Sequence, residues 1–441
     1  MPLAAEHADR ALATAHRLAF PRYPGTEGDE RAIRLVEGEL RAAGLEVAVE
    51  EFTYDVRPAF RALRAVLATC AVLFAASTWL AASAPGISLV LIGLGFAAGA
   101  TLLAWAPWAE RIYRGEGPTR TANVVGRRPA AGPPRLTLVL LAHHDSKSQN
   151  LTFPVRIGLT LLALAGGLTH AVALAAAAGA ALGPSWLVTA SGLTAAAALA
   201  VLSTLKSGNK SPGGVDNAGS VGIVLELARV LPPRIPDDVE LVFLSPGAEE
   251  DHMVGAMRWL DAHLAELRGR PLWALNFDGA GSPGRLVLLN RYGAGRQLAP
   301  RLAALTRRVA AELDVPVRSV MMPPAMGIDS IPFAHRGVEC LSLSSGSLGR
   351  ATMAIHSAAD VAEHLDRGTV ARALDLAVGV AEALCRAPSP PAPLPGGEGS
   401  PEPSPPAPLP GGEGSKMSGI EPPLPLGEGV GGEGDEAKPR R

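Results

Sequence analysis

The chain has 441 residues, 48% of them hydrophobic and only 19% charged, with Lys+Arg 40 against Asp+Glu 42 and a formal net charge of −2. That length holds two or three ordinary domains, and the balanced charge argues against nucleic acid as a partner, since a phosphate-tracking surface needs a basic excess. The three cysteines, Cys70, Cys340 and Cys385, lie far apart with no CxxC pair, which excludes a disulfide framework and a cysteine-type zinc site.

A mean hydropathy of +0.20 at so low a charged fraction points to membrane-embedded segments. The first twenty residues carry charges throughout and lack the apolar run of a secretory signal. Glu30–Ala43 has helical apolar spacing (Ile33, Val36, Leu40) with Gly44 at the C-cap position, and Leu45–Tyr54 alternates as a strand does. Ala65–Ala84 and Ile87–Pro107 contain no charge until past Pro107 and are joined by Ser83-Ala84-Pro85-Gly86, a turn of helix breakers. Each is about as long as a helix crossing ~30 Å of hydrocarbon. A second pair, Ile157–Leu182 and Ser185–Leu205, follows around Gly183-Pro184, so the expectation is four transmembrane helices in two hairpins. The competing reading, buried helices of a large soluble core, fits poorly with four stretches that show almost no polar periodicity.

Soluble patterns fill the intervals. Thr121–Arg127, Leu136–Ala142, Val239–Leu244, Leu272–Phe277, Arg285–Leu289 and Glu339–Leu343 read as strands; Asn217–Leu231, Ala299–Leu313 and Arg367–Arg386 read as helices. The alternation implies an α/β fold with a largely parallel central sheet flanked by helices. From Ala387 the composition changes: Pro388–Ser400 recurs identically at Pro403–Ser415, a Pro/Gly-rich tail expected to stay disordered. The expected division is 1–60, 111–150 and 207–386 as one soluble domain, 61–110 and 151–206 as membrane hairpins, and 387–441 as tail.

Five segments place metal-competent residues at strand ends or helix mouths, where open α/β sheets bind ligands. Leu138–Ser146 ends a buried strand in His143-His144-Asp145, and alternation puts Asp145 on the side of His143, where a carboxylate can orient a ligating imidazole. His144 points the other way and reads as structural or surface. Gly213–Gly219 brings Asp216 to the mouth of a helix; capping by Asp216 or Asn217 is the plain alternative. Leu241–His252 ends in Glu249-Glu250-Asp251, three acids in a row that are costly together unless a cation sits among them. One of them can ligate metal while its neighbour takes a proton from metal-activated water. Trp273–Gly281 carries Asp278, and Ala354–Asp360 carries His356.

The ordered set AHHDS, GVDNAGS, AEED, NFDGAG and IHSAAD resembles the M28 family of zinc aminopeptidases and their carboxypeptidase-like relatives. FPRYPGTEGDERA resembles the Arg-x-x-Gly-Ser/Thr segment that opens such domains, and Gly327–Phe333 resembles their Ser-Asp-His-x-x-Phe segment with the order around the acid altered. The likeness covers about residues 10–57, 120–150 and 207–386. It implies a dizinc exopeptidase acting on peptides: His143 and Asp278 hold one zinc, Glu250 and His356 the other, and Asp216 bridges them. Glu249 is then the general base for a water shared by the two ions, and Asp145 orients His143. Two departures stand out. Residues 146–215, 70 in all, separate Asp145 from Asp216 where the family has a short loop, and Asp251-His252-Met253 replaces the usual Gly-Leu after the paired glutamates. His252 and the other histidines, His335, His364 and the intramembrane His170, read as surface, structural or helix-packing groups. A single-zinc acyl transferase of glutaminyl-cyclase type and a silent membrane scaffold are the rival readings; retention of all five ligands argues against both.

An even number of spans returns the chain to one side each time, so the five segments share a compartment. Arg57, Arg61, Arg64, Arg111, Arg114, Arg120, Arg156, Lys206 and Lys210 flank the hairpins on that side, and neither turn has Lys or Arg. By the positive-inside rule the expectation is a multi-pass protein of a bacterial plasma membrane with its catalytic domain in the cytoplasm.

Overall fold

The computed structural model describes residues 3, 5–104, 115–179, 185–293, 295–322, 326–346 and 349–386. The repeat tail, the Gly183-Pro184 turn, Arg111, Arg114 and the end of the Ile87–Pro107 stretch lie outside the described residues. The central sheet has nine strands: β1 (Glu46–Tyr54), β2 (Thr119–Arg128), β3 (Leu136–Leu141), β6 (Val239–Ser245), β7 (Leu272–Phe277), β8 (Leu286–Tyr292), β9 (Arg296–Gln297), β10 (Val317–Met322) and β11 (Glu339–Ser345). Their order is β1-β2-β6-β3-β7-β11-β8-β10, with β9 paired to β8; β4 (Ser148–Gln149) and β5 (Ser207–Gly208) form a separate two-stranded sheet.

The expectation of a largely parallel sheet needs correction. Only the block β6-β3-β7-β11 and the pair β8–β10 are parallel; β1–β2, β2–β6, β11–β8 and β8–β9 are antiparallel. Apolar runs reveal that a strand is buried but carry no sign of its direction, which the connections decide. The parallel block is what matters for the site, because β3, β6, β7 and β11 all end at the same edge.

Successive residues of these strands feed two cores. Leu138, Leu140, Leu241, Phe243, Leu275 and Phe277 face helices Ala5–Leu18, Gly219–Val230 and Arg367–Arg386. Val139, Leu141, Val242, Leu244, Ala274 and Cys340 face helix Val254–Leu267 and Phe333. A strand buried on both faces reads as LTLVLL rather than as an alternation, for this reason.

The apolar stretches fold as helices Arg57–Leu80, Pro85–Ala100, Phe153–Gly179 and Trp186–Leu202. The first and third, at 24 and 27 residues, are long and apolar enough to cross a membrane, whereas the other two are shorter apolar helices of 16 and 17 residues. At 1.5 Å per residue the long pair reach about 36–40 Å and the short pair about 24–26 Å. The four expected full-length spans are therefore two long and two short helices among the described residues. They meet around Phe74, Ile92, Leu174, Val188 and Ala195. Gly166 lets the backbone of Ser191–Ala195 approach so closely that an added Cβ would stand 2.9 Å from the Ser191 carbonyl oxygen. His170 donates from Nδ1 to the Val188 carbonyl (2.8 Å) and accepts at Nε2 from Ser77 Oγ (2.9 Å), so it packs helices together. Their outer faces expose apolar side chains, including Trp79 (86% exposed) and Trp186 (79%).

Candidate metal centre

The shared edge of β3, β6 and β7 delivers His143, Glu249, Glu250 and Asp278 to one place, and Asp216 and His356 arrive from loops beside it. His143 Nε2 lies 3.2 Å from Asp216 Oδ1 and 3.8 Å from Glu249 Oε2. His356 Nε2 lies 3.1 Å from Asp216 Oδ2 and 3.0 Å from Glu250 Oε2. Two trios of possible ligands result, His143–Asp216–Asp278 and Asp216–Glu250–His356, each with its ligand atoms within 4.8 Å of one another and both using Asp216.

Each ligand loop has its own brace. The Asp145 carboxylate accepts the backbone N–H of Glu249 at Oδ1 and of Glu250 at Oδ2, both at 3.1 Å, and lies 3.4 Å from His143 Nδ1. Asp360 does the same for the bridging loop, accepting from Val215 N–H (2.8 Å) and Asp216 N–H (3.3 Å). Asn217 does not cap a helix, as one reading had it. Its amide donates to the Phe277 carbonyl (2.9 Å) and its oxygen accepts from Gly279 N–H (3.1 Å), so it clamps the residues on either side of Asp278. The Asp216–Asn217 peptide bond is cis.

Arg22, from the opening segment, is fully buried and donates to the carbonyls of Leu18 (3.1 Å), Gly213 (2.9 Å), His144 and Pro212. It fixes the loops before Asp216 and after His143 together. Gly213, with φ +58°, leaves no room for a side chain there: a Cβ would meet Ser146 Cβ and the Asp216 carbonyl at 2.6 Å.

Burial and crowding act on the acids. Burial, joined by the Asp216 charge, pushes Asp278 up to about 7. Burial likewise lifts Glu249 well above the carboxylate range despite His143 nearby, with Asp278, Asp329 and Glu250 adding to the rise. Asp216 is held well below its usual value; burial opposes this, but the adjoining imidazoles of His143 and His356 outweigh it. The donor set fits a cation. Both ring nitrogens of the buried His143 lack a hydrogen-bond partner, and several carboxylates are forced together where only a positive charge relieves them. Imidazole and carboxylate without thiolate suit zinc, with cobalt or manganese as substitutes.

Three further residues reach the centre. Lys147 Nζ contacts Glu250 Oε2 (2.9 Å) and donates to the Glu250 carbonyl (2.6 Å). Arg156 Nη2 donates to His356 Nδ1 (2.9 Å). Asp329, from the altered Gly327–Phe333 segment, is buried with both oxygens lacking a hydrogen-bond partner, and burial near Asp145 and Asp278 pushes it up to about 8. Lys147, one residue past the AHHDS motif, carried no signal of its own, and Arg156 read only as a flanking charge. His144 is buried with Nε2 3.5 Å from Asp29 Oδ1, a structural and not a surface group. His252, expected at the surface, is half-buried with its ring edge-on to Phe60 at 5.9 Å. His335 and His364 are half-buried away from the trios.

Comparison with known proteins agrees with this geometry. The profile of Peptidase family M28 matches residues 123–381. Aminopeptidase YwaD of Bacillus subtilis is 27% identical over 179 residues, which take in 38% of this chain; the match spans little more than a third (36%) of that relative's length. Among solved structures, a zinc aminopeptidase from Bacillus subtilis superposes with a TM-score of 0.51 at 14% identity, covering 85% of this chain and 94% of its own. An aminopeptidase from Aneurinibacillus sp. strain AM-1 does so with a TM-score of 0.51 at 15% identity, covering 88% and 97%. These likenesses concern the fold. The profile spans more than half of the sequence and includes every residue of the two trios, and the chain belongs to peptidase family M28.

Proposed function

We propose that the protein is a membrane-anchored dizinc exopeptidase, an aminopeptidase that hydrolyses peptides at a centre held by His143, Asp216, Glu250, Asp278 and His356. The observation that carries this reading is the pair of trios that share Asp216, with Glu249 beside them. Zinc held there supplies Lewis acidity, making a water more acidic and polarising the scissile carbonyl. Glu249 takes the proton of the attacking water and hands it to the leaving amine, a task suited to a carboxylate raised toward neutrality by burial. Asp145 keeps His143 oriented while fixing the backbone of Glu249, so ligand and base hold one geometry. The likeness to aminopeptidases favours cleavage next to a free α-amine.

Residues 61–110 and 151–206 are the membrane hairpins in this proposal, interrupting a peptidase domain made of 1–60, 111–150 and 207–386, with 387–441 as tail. Support comes from the two long helices, their exposed apolar faces, and Trp79 and Trp186 at the turn ends, where aromatic belts sit. Arg57, Arg61, Arg64, Lys206 and Lys210 at the other end favour a cytoplasmic catalytic side.

Metal analysis combined with a panel of N-free and N-blocked peptides tests the function. The expected result is about two zinc equivalents and hydrolysis of N-free aminoacyl substrates only. Glu249→Gln should keep its metal and lose turnover by a factor of roughly 10² or more. Cyclisation of N-terminal glutamine without hydrolysis, or full activity in Glu249→Gln, would overturn the reading.

A further inference from the structure

The two trios are chemically unequal. Among the described residues, no Lys or Arg makes an ion pair with His143 or Asp278. The other trio carries two cationic side chains. Lys147 Nζ stands 2.9 Å from Glu250 Oε2, the same oxygen that lies 3.0 Å from His356 Nε2. On the far side of that imidazole, Arg156 Nη2 stands 2.9 Å from Nδ1.

The second contact has a consequence for metal binding. Guanidinium has donors only, so Nδ1 accepts from Arg156 and the ring proton resides on Nε2, facing Asp216 and Glu250. A metal bound through Nε2 requires that proton on Nδ1 instead, where it points at another donor. Metal at His356 and the Arg156 hydrogen bond are therefore mutually exclusive, and the Lys147 ammonium opposes the same metal by its charge and by its hold on Glu250 Oε2.

We propose that Lys147 and Arg156 make Asp216–Glu250–His356 the weaker of the two metal positions, the second ion loading only as it displaces Arg156 from His356 and against the Lys147 charge at Glu250. The proposal rests on the dizinc reading and adds to it a reason for unequal loading. Arg156 is the fourth residue of helix Phe153–Gly179. The insertion that separates Asp145 from Asp216 thus reaches the metal centre, and occupancy of the second position frees the start of a helix read as membrane-spanning. Arg156 acts as a positioning residue, through His356.

The test is a zinc titration of the full-length protein in detergent, stripped of metal beforehand and followed by competition with a chromophoric chelator. It reads affinity and stoichiometry and needs no turnover. Wild type should load in two steps of unequal affinity. Arg156→Gln, whose carboxamide oxygen can accept from Nδ1–H, should tighten the weaker step about tenfold, the worth of one hydrogen bond, and leave the tighter step unchanged. A side chain that merely supports His356 predicts the opposite sign. Two equal steps in wild type, or a weaker step that loosens or stays fixed in Arg156→Gln, overturn the proposal. If Arg156→Gln loses both steps through misfolding, Lys147→Met decides: its weaker step must tighten, and failure to do so overturns the proposal. Wild type that binds no zinc sinks the dizinc reading and this inference together, whereas two steps with the wrong response to substitution sink the inference alone.

Discussion

Asp145 Oδ1 accepts the backbone N–H of Glu249 at 3.1 Å, which ties the strand end carrying a candidate ligand to the loop carrying the candidate base. The other oxygen holds Glu250 N–H. Asparagine in this place offers one acceptor and turns an NH₂ toward the second amide. Asp145→Asn should therefore cost about 1–3 kcal/mol of stability. It should also lower kcat/KM about 10- to 100-fold at saturating zinc. Urea unfolding and peptide hydrolysis check the two effects separately, and wild-type values in both would remove Asp145 from the site.

Arg22 is a different kind of support. Its guanidinium donates to five carbonyls and is so deeply buried that its pKa falls to about 10, with Asp360, Asp145 and Asp216 among the charges opposing the fall. Arg22→Met keeps apolar volume but leaves the His144 and Pro212 carbonyls unpaired. A loss of about 3 kcal/mol or more is expected, because buried acceptors and the facing carboxylates lose their partner together. Zinc affinity should fall with it, since the Asp216 loop is one of the two loops that Arg22 fixes. A variant as stable as wild type would mean that the carbonyls find other donors.

The acids set a pH dependence for the metal-free protein. Burial is the leading cause of the rise in Asp251 to about 6, Asp278 and Asp360 to about 7, and Asp329 to about 8. Unfolded, each titrates near 3.9, so between about pH 4 and pH 8 the native state binds more protons than the unfolded chain, and stability falls as pH rises. His143 adds the same sign. Burial lowers its pKa, but Glu249, Asp145 and Asp216 outweigh this and raise it, so its favourable protonation is lost as pH climbs. Asp216 and Glu250, held low, act only in the acid range. The urea midpoint of chelator-treated protein should therefore drop between about pH 5.5 and about pH 8, and zinc should flatten the profile. A midpoint that rises over this interval would contradict the burial of these acids.

The candidate site was more legible in the sequence than its surroundings. His143, Glu249, Glu250 and Asp278 were visible because buried parallel strands read as apolar runs, and polar residues at their ends stand out. The direction of the strands was not visible, and β10 (VRSVMM), half-buried or exposed at all but its last residue, gives no alternation to find. Asn217 looked like a helix cap because the local pattern fits one; its true partners lie some 60 residues away, at Phe277 and Gly279. Lys147 and Arg156 gain their meaning from Glu250 and His356, 103 and 200 residues along the chain, distances over which no local pattern speaks. The apolar stretches read as four full-length spans because uncharged sequence continues through the breaks that end the helices.

The last prediction concerns sidedness, and it turns on where charge sits relative to the helix ends. Arg57, Arg61 and Arg64 occupy the first turns of helix Arg57–Leu80, and Lys206 follows helix Trp186–Leu202, so the cations gather at the domain end. The opposite end has Trp79 and Trp186, highly exposed, and the Ser83–Gly86 turn without Lys or Arg. Cytoplasmic retention of the basic end predicts that Ser83→Cys reacts with a membrane-impermeant thiol reagent on intact cells. Gly132→Cys, in the exposed loop between β2 and β3, should react only after permeabilisation. Cys70 and Cys340 are buried, so Cys385→Ser supplies a low background for both. The reverse pattern would place the catalytic domain outside, where its substrates would be extracellular peptides. Labelling of both positions on intact cells would mean that the helices do not span the membrane.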